Sequence, residues 1–150
     1  MDPFDKKILA ALQQNNRLSS QALGQEIGLS ATACQRRLNK LRQSGVIAKE
    51  VAVLDPVAFD SYVTIIVEVT MKQGGAEPIE AFKQRMLSHQ QVQQCYYVAG
   101  NTDFILIINA TNMPAYEQLT KTLFFADPNV QKFHSTVVME NVKTGLDIPV

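Results

Sequence analysis

The sequence predicts an α+β protein in which three N-terminal helices, two of them forming a helix-turn-helix, precede a C-terminal βαββαβ unit. Apolar residues recur at helical spacing over residues 1–45, and from residue 62 they alternate with polar ones, as in a half-buried strand. Asp55-Pro56 interrupts the chain between the two patterns. We therefore expect a helical domain at 1–54, a linker at 55–61 and a mixed domain at 62–150.

The first helix is indicated by the residues at its start. Asp2 can cap it, Pro3 suits its first turn, and Phe4, Ile8 and Leu12 follow at four-residue spacing. These three apolar side chains are expected on one face of the helix, where they would close a three-helix core.

A helix, a tight turn and a second helix follow over residues 19–45. Leu23 and Ile27 lie four residues apart, which places them on one buried face of the first of these helices. Gly28 is free to adopt the positive φ that the turn requires. Serines precede both helices and can cap them: Ser19 or Ser20 for the first and Ser30 for the second.

The third helix presents two different faces. Cys34, Leu38 and Leu41 form a buried seam, whereas the opposite face carries hydrogen-bonding side chains, most of them donors. The members of that face are Thr32, Arg36, Asn39, Lys40 and Gln43. Such a face is typical of a helix that enters the major groove of DNA, and the alternative is a solvated face on an ordinary helix pair.

Gly45 is expected to end the third helix, and the residues after it are extended and β-branched. Residues 46–54 are therefore predicted to form a short wing or a strand that pairs elsewhere. With a wing, the first domain would be a winged helix-turn-helix.

Four strands and two helices are predicted for the mixed domain. In order they are strand 62–71, ended by Gly74-Gly75, helix 77–87, strands 92–99 and 103–110, helix 113–125 and strand 130–139. The helices are expected to bury Ile79, Phe82 and Met86, and Tyr116, Leu119 and Leu123. Residues 104–108 are apolar on both faces, so their strand should be central. The order βαββαβ is that of a ferredoxin-like sandwich, with both helices on one face of an antiparallel sheet.

Charge is divided unevenly along a chain whose formal net charge is zero. Residues 1–50 carry eight basic and four acidic side chains, a balance of +4, and residues 51–150 carry the opposite balance. This division is expected when one domain contacts phosphates and the other does not. Because +4 is modest, tight binding to nucleic acid would require two or more such domains acting together.

The two cysteines and two histidines exclude a conventional zinc finger, since no CxxC pair is present, and no metal or other cofactor is expected. Cys34 lies on the predicted buried seam and Cys95 inside an apolar strand, so both are interpreted as small core residues. Redox sensing through either thiol is the alternative. No apolar N-terminal region and no apolar run of about 20 residues occurs, which predicts a cytoplasmic protein.

Six groups of residues, in order along nearly the whole chain, resemble the Lrp/AsnC (feast/famine) transcriptional regulators. They are Asp5-x-x-Ile8-Leu9 with Leu12-Gln13, Leu29-Ser30, Cys34-x-x-Arg37-Leu38-x-x-Leu41, Gly45-Val46-Ile47, Gly100-x-x-Asp103-Phe104 and Val138-Met139-Glu140-x-Val142-Lys143. Ala31 and Gln35 depart from the Pro and Leu that many members carry there, and Gln35 could change the preferred DNA sequence.

The resemblance implies an N-terminal domain that binds double-stranded DNA and a C-terminal effector domain that forms homodimers, commonly assembled into octamers. It also implies that a small molecule, usually an amino acid, binds between dimers. The expected function is therefore that of a transcriptional regulator whose DNA binding or assembly responds to an amino acid, and not that of an enzyme.

The expected DNA contacts follow from the exposed face of the third helix. Base edges are assigned to side chains near its N-terminus: Thr32, Gln35, Arg36 and Asn39. Phosphates are assigned to Ser19, Ser20, Ser30, Arg37, Lys40 and Lys49. For Arg37, which borders the buried seam, an ion pair within the domain, for example to Glu26, is an equal alternative.

The turn Gly100-Asn101-Thr102-Asp103 is the expected effector site, because backbone amides suit an α-carboxylate and Asp103 suits an α-ammonium. Taken alone, a hairpin turn in which Asp103 satisfies local amides is the simpler interpretation; the resemblance favours the effector site. It also implies pocket walls at Tyr97, Met113, Thr136 and Val138, and we include His134 from the same strand. His134 with Asp103 is the one pair that an enzyme on this scaffold could use, and no activation motif surrounds it.

Overall fold

The computed structural model describes residues 1–59, 62–72 and 75–150. These residues form two compact units, which we call the helical unit (1–54 with 143–150) and the sheet unit (55–142). The tail 143–150, expected in the second domain, thus belongs with the first unit. Within the predicted linker, Pro56–Ala58 forms a 3₁₀ turn, whereas Asp60 and Ser61 lie outside the described residues.

The helical unit contains the three predicted helices: α1 (Pro3–Gln14), α2 (Ser20–Ile27) and α3 (Ala31–Gln43). Each begins at a side-chain cap, from Asp2, Ser19 and Ser30 respectively. Gly28 has φ 79° and ends α2, as predicted from its lack of a Cβ. The helix-turn-helix therefore follows from local sequence signals.

The core of the helical unit joins all three helices. It consists of Ile8, Leu9, Leu23, Ile27, Cys34, Leu38 and Leu41. The expectation that Phe4 is buried is wrong, because its side chain is 38% exposed at the start of α1. Close packing at the turn leaves no room for a side chain at Gly24, where a Cβ would collide with the carbonyl oxygen of Leu29.

Within one chain, residues 46–54 form neither a wing strand nor a strand paired with another, so the prediction of a wing is wrong. Ile47 packs against the helical core, and its backbone N–H donates to the Leu41 carbonyl oxygen at 3.2 Å. Arg42 donates to both carboxylate oxygens of Glu50 at 2.8 and 3.0 Å. These contacts fix the segment without a partner strand, which β-branched composition alone does not provide.

The tail is attached to α1 by one glutamine. The Gln13 side chain donates to the Ile148 carbonyl oxygen at 2.9 Å and accepts from the Ile148 backbone N–H at 2.8 Å. The side-chain amide thereby satisfies both backbone groups of Ile148, as a neighbouring strand would.

The sheet unit has the predicted βαββαβ order. Its elements are β1 (Val63–Met71), α4 (Ala76–Ser88), β2 (Val92–Tyr97), β3 (Phe104–Ala110), α5 (Met113–Thr120), a π-helical turn (Lys121–Phe125) and β4 (Val130–Val137). The strand order is β2-β3-β1-β4 with every neighbouring pair antiparallel, so β3 is central as expected. The predicted closing turn of β1 includes Gly74, which lies outside the described residues.

Both helices pack on one face of the sheet. Buried side chains of β1 and β3 meet Phe82 and Met86 of α4 and Tyr116 of α5 in a single apolar cluster. The other face, which we call the open face, carries side chains that alternate with these. It includes Ile66 and Glu68 of β1, Ile105 and Ile107 of β3, and His134 and Thr136 of β4.

Cys95 is exposed, so its interpretation as a core residue is wrong. It lies opposite Leu106 on the helix-covered face, but β2 is an edge strand and leaves it accessible. Cys34 is fully buried, as predicted.

Within the described ranges, every helix is too short or too polar to cross a bilayer.

Candidate nucleic-acid interface and effector domain

The buried seam of α3 sets the direction of its other side chains. Cys34, Leu38 and Leu41 are at most 6% exposed, so the remaining faces of the helix point away from the core. The expected base contacts on those faces, Thr32, Gln35, Arg36 and Asn39, are all exposed, as is Lys40. The structure therefore brings the predicted base-contacting residues onto one accessible surface.

Two of the predicted phosphate contacts are helix caps. The Ser19 hydroxyl oxygen accepts from the Ala22 backbone N–H at 3.1 Å, and that of Ser30 accepts from the Ala33 backbone N–H at 3.2 Å. In each case the hydroxyl hydrogen is left over, so both serines can donate to a phosphate while capping.

Three polar side chains form a chain of hydrogen bonds from α2 to α3. Ser20 donates to Gln35 Oε1 at 2.5 Å, and Gln35 Nε2 donates to Asn39 Oδ1 at 3.0 Å. Ser20 opens α2, and Gln35 and Asn39 lie one turn apart on α3. The sequence predicts all three as separate DNA contacts, and the structure shows that they are hydrogen-bonded to one another.

Arg37 forms an ion pair inside the helical unit, but the suggested partner Glu26 was wrong. Its Nη1 donates to Asp2 at 2.6 Å and to Asp5 at 2.7 Å. Asp2 and Asp5 also cap the backbone of α1 reciprocally. These backbone hydrogen bonds, and then Arg37, hold the pKa of both carboxyl groups below their ordinary value. Two carboxylates thus balance Arg37, and they raise its pKa.

Other basic side chains of the unit keep their charge uncompensated. Among the described residues, Arg36 and Lys40 on α3 and Lys49 after it have no acidic partner within ion-pair distance. Since Arg42 is paired with Glu50, the positive charge that remains available on α3 belongs to Arg36 and Lys40. This surface therefore combines free cations with amide and hydroxyl groups.

In the sheet unit, the loop at 100–103 is tied to β1 through its last two residues. Asp103 Oδ2 accepts from the Met71 backbone N–H at 2.7 Å, and the Asp103 N–H donates to the Val69 carbonyl oxygen at 2.9 Å. The Thr102 hydroxyl also donates to Val69, at 2.7 Å. Asp103 thus satisfies a local amide, the simpler of the two interpretations, but through one carboxylate oxygen only.

The same loop leaves three backbone donors unused. The N–H groups of Gly100, Asn101 and Thr102 make no hydrogen bond to any described residue. They lie beside Asp103, whose Oδ1 is also unoccupied within the described part of the chain. Free amides next to a carboxylate have the chemistry that an amino acid's two charged groups require.

The other predicted effector residues do not all lie beside this loop. Tyr97 does: its ring contacts Phe104 at 5.0 Å between centroids, and Lys83 lies over it. Val138, however, donates its N–H to Thr64 at the opposite end of β1, about 17 Å away by strand geometry. Met113 follows β3 at that same distant end, and His134 and Thr136 lie on the open face of β4. A single sheet unit therefore does not assemble the whole predicted set.

The two alternatives, an enzyme that uses His134 with Asp103 and a redox sensor that uses a cysteine thiol, find little support in these contacts. His134 lies opposite Glu68 on β4, whereas Asp103 is bonded to backbone on the other side of β1, and neither bonds to the other. No group of three His, Cys, Asp or Glu side chains suited to a metal occurs within the described ranges. Partial burial raises the pKa of the Cys95 thiol despite the nearby Lys83, which disfavours the reactive thiolate.

A helix-turn-helix with free cations on its outer helix, in the same chain as a separate ferredoxin-like unit, defines a regulator with a DNA-binding domain and an effector domain. Residues 1–42 match the family model of the AsnC-type helix-turn-helix domain, and residues 64–148 match that of the Lrp/AsnC ligand binding domain. The chain belongs to the Lrp/AsnC family of transcriptional regulators.

Individual relatives span nearly the whole chain. An HTH-type transcriptional regulator of Sinorhizobium fredii is 40% identical over 100% of this chain and 89% of its own length. The leucine-responsive regulatory protein of Haemophilus influenzae is 34% identical over 95% of this chain and 86% of its own.

Solved structures of transcriptional regulators are similar over the same extent. An AsnC family regulator of Agrobacterium tumefaciens has TM-score 0.92 and 31% identity, covering 99% of this chain and 97% of its own. A Neisseria meningitidis regulator, in complex with L-Met, has TM-score 0.92 and 27% identity, covering 99% and 96%.

Sequence reasoning missed two features of the candidate DNA-binding surface. It took Asp2 as a cap and Asp5 as first-turn charge, without seeing that both also bind Arg37. The signal was available as an acidic pair at the start of α1 and an arginine flanking the seam of α3. The link between Ser20, Gln35 and Asn39 had no comparable signal, because it depends on the crossing of α2 and α3.

Replacing Arg37 should change how stability depends on pH. Asp2 and Asp5 have lowered pKa values when folded, so they stabilise the fold above their unfolded pKa, and this is lost as the pH falls through their folded values. In Arg37→Ala, part of the lowering disappears, and the free energy of unfolding should fall less steeply below about pH 4 than in wild type. Urea unfolding at a series of pH values measures this, with Arg36→Ala as the unpaired control. Identical slopes in wild type and Arg37→Ala would contradict it.

Proposed function

We propose that this regulator binds specific duplex DNA as a homodimer or larger assembly, under control of an amino acid. The observation that carries the proposal is the accessible face of α3, where Arg36, Asn39 and Lys40 lie opposite the buried seam. An α-helix fits the major groove, where arginine can pair with guanine, and asparagine with adenine. Double-stranded DNA is its proposed partner, so we propose that the protein acts in the cytoplasm.

The roles of the DNA-contacting residues divide by chemistry. We assign base contacts to Thr32, Arg36 and Asn39, and phosphate contacts to side chains that set the register: Ser19, Ser30, Lys40 and Lys49. Ser20 is removed from the predicted phosphate contacts because its one hydroxyl hydrogen is donated to Gln35. Because Asp2 and Asp5 balance Arg37, we assign it to holding α1 against α3 and not to phosphate. A modest charge on each helical unit requires that two units act together, which an assembly provides.

Arg36 and Lys40 provide a direct test of DNA recognition. Arg36→Ala should weaken binding to a selected specific duplex by about 1–3 kcal/mol, with a smaller loss on random DNA, since a bidentate base contact is sequence-dependent. Lys40→Ala, on the same helix, should weaken both duplexes about equally. Fluorescence anisotropy at fixed salt measures both. An equal loss on the two duplexes for Arg36→Ala would show that Arg36 contacts only phosphate.

The open face of the sheet supports a homodimer. Ile66, Ile105 and Ile107 lie on it and are only partly covered within one sheet unit. A sheet with one apolar face against helices and a second apolar strip gains stability when a second copy covers that strip. Assembly of dimers into an octamer is carried by the resemblance to the family.

An acidic residue on the open face should disrupt the homodimer. Ile107→Asp would place a charge in the proposed interface on both subunits, and loss of the isoleucine area alone predicts at least about a hundredfold weaker dimerisation. Leu87→Asp is the matched control, because Leu87 is 77% exposed on α4, on the other side of the sheet. Light scattering coupled to size exclusion measures both. A monomeric wild type, or an Ile107→Asp protein that keeps its assembly, would contradict the proposal.

The free amides of Gly100, Asn101 and Thr102 support an amino-acid effector at that loop. They can accept its carboxylate, while Asp103 Oδ1 can pair with its ammonium group. Residues 134–138 lie away from the loop in one sheet unit, so we propose that a second subunit supplies them. Relatives named leucine-responsive, and one solved with L-Met, support an amino acid as the class of effector.

Asp103→Asn tests this site because it changes the charge of the side chain and keeps its shape. The asparagine keeps an oxygen that can accept from Met71, but it loses the charge that an ammonium group needs. Affinity for the effector should fall about ten- to a hundredfold, equivalent to roughly 1.5–3 kcal/mol. The effector is first identified by thermal shift with the twenty amino acids, starting with L-leucine and L-methionine, and calorimetry then compares wild type with Asp103→Asn.

Glu117→Gln, on the exposed side of α5, serves as the control of equal charge change. Unchanged affinity in Asp103→Asn would move the effector elsewhere, and the cavity of about 280 Å³ beside Val138, Phe59 and Tyr62 would be the next position to test. Failure of every amino acid to bind would leave a DNA-binding regulator without this class of effector.

A further inference from the structure

We propose that Gln35 is a positioning residue that holds Asn39 for recognition of one adenine, and that Ser20 anchors Gln35. This replaces the expectation that Gln35 itself contacts a base. The inference rests on the proposed function, because it requires that α3 enters the major groove.

Gln35 uses both atoms of its amide group inside the protein. Its oxygen accepts from Ser20 at 2.5 Å and its nitrogen donates to Asn39 at 3.0 Å. A bidentate contact with adenine needs one donor and one acceptor from the same amide, presented together. One lone pair and one N–H of the Gln35 amide remain, but the bonds to α2 and to the next turn of α3 fix its orientation by contacts within the protein.

Asn39 retains the groups that adenine requires. Its Oδ1 accepts one hydrogen bond from Gln35, which leaves one lone pair, and its Nδ2–H groups make no bond to the described residues. In the major groove adenine presents an acceptor at N7 and a donor at N6. The Asn39 amide therefore matches adenine while it is still bonded to Gln35.

The stability of the fold does not by itself explain why these three side chains are hydrogen-bonded to one another. The three side chains of these two bonds are at least partly accessible, so water competes for each group. A glutamine–asparagine pair one turn apart stabilises a helix only slightly. The bonds do restrict the rotamers of Gln35 and Asn39 before DNA arrives. Ordering long side chains at an interface is one of the costs of association, so prior ordering favours binding.

The anchor on α2 gives the network a fixed origin. Ser20 is the first residue of α2, next to the cap Ser19, and its position is set by the packing of α2 in the helical core. A hydrogen bond from this backbone-anchored hydroxyl holds Gln35 across the helix-turn-helix. Asn39 is then oriented from two helices and not from α3 alone.

The test begins with selection of bound sequences from randomised duplexes by the full chain. Asn39→Ala should remove the preference for adenine at one position, by about tenfold. Gln35→Ala should reduce discrimination at the same position severalfold and leave other positions unchanged. The double variant Gln35→Ala with Asn39→Ala should show no further loss beyond Asn39→Ala, and Ser20→Ala should give a smaller loss at that position.

A charged replacement distinguishes positioning from simple loss of contact. In Gln35→Glu the carboxylate still accepts from Ser20 but cannot donate to Asn39 Oδ1, so it should accept from Asn39 Nδ2 and reverse the amide. Asn39 would then present mainly its oxygen, and the preferred base should change at that one position. Overall affinity should also fall through repulsion of phosphate, so the measured quantity is the ratio of affinities for the four bases.

Gln14→Ala replaces an exposed glutamine at the end of α1, outside the helix-turn-helix. It is the matched control and should leave every preference unchanged. Thermal unfolding checks that each variant folds. A loss in Gln35→Ala at a different position from that of Asn39→Ala would show that Gln35 contacts its own base and would overturn the inference. So would an Asn39→Ala protein with unaltered preferences. Absence of any sequence preference in wild type would instead overturn the proposed function.

Discussion

The buried seam of Cys34, Leu38 and Leu41 determines how α3 is rotated about its axis, and the proposed DNA-binding surface depends on that rotation. Side chains on a helix are fixed relative to one another, so burial of one face sets the direction of all the others. With this seam in the core, Arg36 and Asn39 face outward, Gln35 flanks α2, and Arg37 flanks the start of α1. The two flanking residues therefore make contacts within the unit, and the two outward ones remain available.

In the sheet unit, side chains alternate along each strand, and this alternation determines which of them pack against the helices and which lie on the open face. On β1, Val67 and Val69 are fully buried against the helices, and Glu68 between them faces the other way. Register then places His134 of β4 opposite Glu68 and Ile105 of β3 on its other side. The open face thus combines apolar and charged side chains, which suits a specific partner surface better than an indiscriminate one.

Local signals were sufficient for the order of helices and strands in the two units and for the family. The caps Asp2, Ser19 and Ser30, and the change of hydrophobic period at residue 62, predicted the helix-turn-helix and the βαββαβ order, and both are present. Exposure at the sheet edge was not predictable from the sequence. Cys95 lies opposite Leu106 on the same face of the sheet, but strand order, which no local pattern reports, makes β2 an edge.

Contacts between distant residues account for the remaining differences. The β-branched stretch at 46–54 pairs with no strand of its own chain, because a high strand propensity does not by itself supply a partner strand. For the predicted DNA contacts, residue types and helical spacing were enough to predict which face of α3 is exposed. They did not predict the hydrogen bonds among Ser20, Gln35 and Asn39. The predicted effector residues were gathered from a family pattern, whereas the register separates them along β1 in one subunit.

The bond between Gln13 and Ile148 makes the sheet unit a topological insertion. Residues 55–142 leave the helical unit at one point and return to it at another, since 143–150 packs with 1–54. A chimera that joins this DNA-binding unit to another effector domain therefore needs two junctions, one near each end of 55–142. With a single junction after residue 54, the residues that end the grafted effector domain would replace 143–150 beside Gln13. The hydrogen bonds of the Gln13 side-chain amide would then depend on a different sequence.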